Sequence, residues 1–69
     1  MNGKFELWTN GKNTVLVYTY TQNGEGHSQW TTDRDTLPES EQEGQEWLQE
    51  LDWEVENMTH LYKNGYKPE

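Results

Sequence analysis

The spacing of large apolar residues changes near residue 36. Before it, Phe, Trp, Val, Leu, Tyr and Thr gather into three runs, Lys4–Thr9, Thr14–Gln22 and His27–Thr32, set apart by Asn10-Gly11 and Asn23-Gly24. Aromatic and β-branched residues suit a pleated strand, and Asn-Gly tolerates the positive φ of a tight hairpin turn. The first half is therefore predicted to be a three-stranded antiparallel meander. Beyond it, Leu37, Gly44, Trp47, Leu48 and Leu51 fall on one side of a 3.6-residue period. Thr36 or Ser40 can act as the N-cap, and Pro38 fits a first turn. This pattern predicts a helix over Pro38–Leu51.

The stretch after Leu51 reads in two ways. Val55, Met58 and Tyr62 could prolong the helical stripe, whereas Trp53, Val55, Asn57, Thr59 and Leu61 alternate with polar residues as in a strand. Thr59 and the turn signal Asn64-Gly65 favour a strand over residues 53–62, with Tyr66–Glu69 as a short returning edge or a tail. The expected fold class is α+β: a three-stranded antiparallel meander, one acidic amphipathic helix, then a final strand (β-β-β-α-β), in a single domain over residues 1–69.

Charge adds what the pattern does not. The chain carries a formal −8, but the window 33–56 holds ten acids and one base, Arg34, and so carries −9. Segregation of this kind speaks of partners more than of fold. It opposes binding to DNA, RNA or an anionic membrane, all of which need Lys and Arg, and favours a basic protein surface.

On the predicted helix, Glu39, Glu43, Glu46 and Glu50 lie opposite the apolar stripe, about 5–6 Å apart along one ridge. Asp33 and Asp35 precede the ridge; Asp52, Glu54 and Glu56 follow it. A solvated helix face is the plain alternative, and a halophile's acidic surface is another. Against the first, no Lys or Arg occurs between Arg34 and Lys63, so no intrahelical salt bridge can offset the repulsion. Against the second, the acids are concentrated in one window. With its short length, absence of Cys and glutamate ridge, the chain resembles, as a class, the phage-encoded inhibitors that imitate nucleic acid: anti-restriction proteins, uracil-DNA glycosylase inhibitors and anti-CRISPR proteins. The resemblance implies a non-catalytic decoy for a basic, nucleic-acid-binding host protein, with those nine acids as the partner-binding surface.

The aromatic content supports a second reading. At 13% Phe, Trp and Tyr against 29% hydrophobic overall, the rings must supply much of a small core. If Val15, Val17 and Thr19 face the helix, then Leu16, Tyr18 and Tyr20 line the other sheet face, where Trp8 and Trp30 could join them; the reverse assignment puts these rings in the core. One helix covers one face, so Trp8, Tyr18, Tyr20 and Trp30 become a candidate interface of an adaptor or a homodimer.

No catalytic constellation emerges. There is no nucleophile elbow, phosphate loop or EF-hand spacing, and the two histidines, His27 and His60, are too few for a metal cluster. The expectation is a protein without enzymatic activity, cofactor or metal. Met1–Phe5 lacks a signal-peptide run and no stretch approaches a membrane span, which points to the cytoplasm, that of the host cell for a phage-encoded protein.

Overall fold

The computed structural model describes residues 3–55 and 58–69. Three antiparallel strands come first: β1 (Lys4–Thr9), β2 (Thr14–Gln22) and β3 (Glu25–Thr31). Helix α1 (Glu41–Glu50), a short helix α2 (Met58–Lys63) and a two-residue strand β4 (Lys67–Pro68) follow. The sheet order is β3-β2-β1-β4, with β2 in its interior.

The two Asn-Gly turns of the meander differ. Asn23 (φ 54°) and Gly24 (φ 80°) form a two-residue turn with positive φ at both positions, which matches the twist of the strands it joins. Asn10-Gly11 opens a longer loop, in which the Asn10 side-chain oxygen accepts from the backbone N–H groups of Lys12 and Asn13 at 2.9 and 2.7 Å.

Register decides the faces. Val15 pairs with Trp8, and Val17 lies between Glu6 and Trp30. Side chains directly across a ladder share a face, so Trp8 and Trp30 belong with the valines, not with Tyr18 and Tyr20 as both sequence assignments placed them. Leu61 of α2 joins Trp8, Val15 and Val17 in one buried cluster, with Trp30, Met58 and Tyr66 packed around it. On the other face, Phe5 and Tyr18 pair across β1 and β2 with their rings 4.7 Å apart. Here α1 comes close: a Cβ at Gly44 would lie 2.6 Å from the Phe5 ring, and Trp47, one turn further on, is buried. The sheet is thus covered by a helix on each face.

The expected strand at 53–62 is displaced. Residues 56 and 57 of that stretch lie outside the described residues; among the described ones only Glu54 takes up strand pairing, exchanging backbone hydrogen bonds of 2.8 and 3.0 Å with Trp30. Met58–Lys63 is helical because Met58 and Leu61, three residues apart, both reach the core. Asn64-Gly65 is the helix C-cap, not a hairpin turn. Gly65 has φ 82°, and the N–H groups of Gly65 and Tyr66 donate to the carbonyls of Tyr62 and Leu61, the paired bonds of a left-handed helix stop. Tyr66 then packs near Leu61, and the chain returns along β1 as β4, the short edge at the C-terminus.

Helix α1 is also shorter than the period suggested. Ser40 is the N-cap, its hydroxyl accepting from the Glu43 N–H at 3.1 Å. Leu37 and Pro38 lie ahead of the helix, and Leu37 is 50% exposed instead of joining the apolar stripe. Among the described residues, no helix is long and apolar enough to cross a membrane.

If α2 is held mainly by Leu61, which is 2% exposed, Leu61→Ala should cost about 2–5 kcal/mol. Chemical denaturation measures this; a loss well below 1 kcal/mol would show that α2 does not seal its face.

Candidate functional site

The structure divides the acidic window into four groups with different duties. Asp33 and Asp35 lie in the loop after β3 and line a cavity of about 520 Å³ together with Lys12, so a base stands near them. Asp33 is also a structural ligand of the backbone. Its carboxylate accepts the Asp52 N–H at 2.9 Å, while the Thr31 hydroxyl donates to the Asp52 carbonyl at 2.9 Å and accepts from the Asp33 N–H. These bonds hold residue 52 just before Glu54 pairs with Trp30.

The second group surrounds the start of α1. Glu39 precedes the N-cap and is not on the helix, so the expected four-member ridge loses its first member. Glu43 turns back to accept the Glu39 N–H at 3.0 Å, a capping role that ties down its carboxylate. Glu41, in the first turn, gains from the helix dipole.

Glu46 and Glu50 form the third group. Both are exposed, and at about 100° per residue they share a flank of α1 with Glu43. Neither can gain from the N-terminal dipole, and α1 has no basic residue in its last turn. Arg34, the base that precedes the helix in sequence, has its guanidinium carbon 5.1 Å from the centre of the Trp47 ring. The fourth group, Asp52 and Glu54, is exposed on the segment paired to β3. Glu56 lies outside the described residues.

The aromatic candidates are drawn into the molecule. Trp8 and Tyr18 are 2% and 4% exposed; Tyr20 and Trp30 are half-buried. Tyr18 stacks on Tyr20 and Tyr20 on His27, with centroids 5.5 and 5.4 Å apart, while His60 of α2 stacks on Trp30. Of the rings that suggested an adaptor or homodimer, Tyr18 lies with Phe5 on the face that α1 approaches, and Trp8 and Trp30 lie on the face that α2 covers. Among the described residues, no three acidic or histidine side chains converge as they would around a metal ion.

Sequence reasoning left out a cleft of about 420 Å³ at the entry to α1. Phe5, Tyr18, Leu37 and Pro38 line it alongside Glu39 and Glu41. Among the described residues, the Tyr18 hydroxyl has no hydrogen-bond partner. Burial first, then the proximity of Tyr20 and Glu41, holds it above its ordinary pKa of 10.0. No periodicity could have linked these residues, because the β1–β2 register and the turn into α1 bring them together.

Stability measurements on variants check these roles. Asp33→Ala should cost about 1 kcal/mol through the unpaired Asp52 N–H, whereas Glu46→Gln and Glu50→Gln should be neutral or mildly stabilising, since like charges along a helix cost roughly 0.2–0.5 kcal/mol per pair. Tyr18→Phe should leave stability unchanged or raise it at neutral pH, as the hydroxyl has no partner among the described residues. The folded protein binds the Tyr18 proton more tightly than the unfolded chain, so the stability this supplies persists below pH 10.0 and is lost as pH rises above it. Denaturation across that range should show Tyr18→Phe gaining on the parent protein; parallel curves would contradict the shift.

No protein-family model matches the chain, and no curated protein or solved structure is similar enough to count as a match.

Proposed function

We propose that the protein is a non-catalytic binding module whose acidic face docks on the basic, nucleic-acid-binding surface of a host protein and excludes nucleic acid from it. The observation that carries this reading is the exposure of Glu39, Glu41, Glu46, Glu50, Asp52 and Glu54 in a stretch without Lys or Arg between Arg34 and Lys63. The self-repulsion of such a face is relieved when a basic surface covers it, and its field speeds the encounter. The docking acids are those without structural work, chiefly Glu46 and Glu50, with Glu39, Glu41, Asp52 and Glu54 around them. A phage-encoded counter-defence protein acting in the host cytoplasm would use such a face in this way. The competing aromatic interface has less support, because Trp8 and Tyr18 are core residues.

Affinity capture from host-cell lysate at low and high salt tests the proposal. Nucleic-acid-binding proteins should be retained at low salt and released near 1 M, where the screening length falls to about 3 Å. Added DNA should compete, and a folded Glu39→Gln/Glu46→Gln/Glu50→Gln variant should capture much less. Capture that ignores both salt and the triple substitution would defeat the reading.

A further inference from the structure

We propose that the cleft at the entry to α1 is an anchor pocket for one arginine or lysine side chain of a partner protein. This rests on the acidic-face reading and names the place where that face grips. The walls of the cleft are of two kinds: Phe5, Leu37 and Pro38 are apolar, while Glu39 and Glu41 bring carboxylates. A long basic side chain has the same division, with a methylene stem that packs on apolar surface and a charged head. A purely apolar occupant would leave the carboxylates without a counter-charge, and an anionic one would be repelled. Leu37, 50% exposed, would lose that exposure against the stem.

Tyr18 supplies an independent observation. Its side chain lines the cleft and is 4% exposed, yet its hydroxyl has no hydrogen-bond partner among the described residues. The hydroxyl fills the space that a side chain at position 3 would occupy, and Gly3 also lines the cleft. Buried hydroxyls are nearly always paired. An N–H donated by a guanidinium or ammonium group would pair this one, with the tyrosine oxygen as acceptor and Glu41 supplying opposite charge. The Glu41 carboxylate, one of the causes that hold the Tyr18 proton, also favours a cation beside the hydroxyl, whereas burial, the largest cause, penalises charge of either sign.

The test uses the full chain, isotope-labelled, titrated by NMR with the peptide acetyl-Gly-Arg-Gly-amide and its uncharged citrulline counterpart. The arginine peptide should shift the ring resonances of Phe5 and Tyr18, and the citrulline peptide should not. Tyr18→Phe should weaken binding roughly tenfold and Glu39→Gln/Glu41→Gln at least about threefold, with amide spectra confirming that both variants fold. Equal shifts from both peptides, or an arginine peptide that leaves Phe5 and Tyr18 unmoved, would overturn the pocket. Octa-arginine separates this from the broader reading. If it binds through Glu46 and Glu50 while the single-arginine peptide leaves the cleft untouched, the acidic face survives and the pocket falls. If the single-arginine peptide fills the cleft but capture from lysate ignores salt, the pocket survives and the decoy role falls.

Discussion

A strand that is apolar on both sides cannot be left with one side in water, and β2 is such a strand. Val15, Leu16, Val17 and Tyr18 are consecutive and all buried. Alternate side chains point to opposite faces, so both faces of the sheet need a cover. The first cover is α1, which brings Gly44 against Phe5 and buries Trp47. The second is α2, whose Leu61 closes over Trp8, Val15 and Val17. The late β4 then adds to the β1 edge, and the Glu54 bridge meets the opposite edge at β3, which shields edges that would otherwise invite other strands.

This requirement separates the acids into those that build the fold and those that do not. Asp33 fixes residue 52 so that Glu54 can reach Trp30, and Glu43 fixes the chain reversal into α1. Their charges are committed to backbone N–H groups. Among the described residues, Glu46 and Glu50 have no such duty, and Glu41 lines a cleft whose tyrosine hydroxyl has no partner. The surface proposed to dock is thus smaller and more divided than the raw charge of the window suggests, with an apolar depression at one end. An interface joining a buried anchor to a charged surround draws specificity from the first and encounter rate from the second.

Much of the architecture was legible because it depends on local rules. The meander followed from the β-rich runs and from Asn23-Gly24, which needs positive φ at both turn positions. The α1 N-cap was legible as Ser40 or Thr36, although the apolar Leu37 stretched the predicted helix at its start. The misplaced final strand has a definite cause. Asn-Gly serves hairpins and helix stops equally well, since both require a left-handed residue, and six residues are too few for periodicity to choose between them. What chose was Leu61, which reaches the cluster around Trp8 only if the segment is helical.

The chain by itself therefore determined the three strands of the meander, the acidic helix and the concentration of charge, because propensity, turn chemistry and charge reside in residues close in sequence. The tertiary structure alone decided which face each aromatic ring occupies, which carboxylates are tied to the backbone, and that Phe5, Tyr18, Leu37 and Glu41 share one cleft. Those outcomes hang on the pairing register of β1 with β2 and on the packing of the two helices, interactions between distant residues that no local pattern encodes.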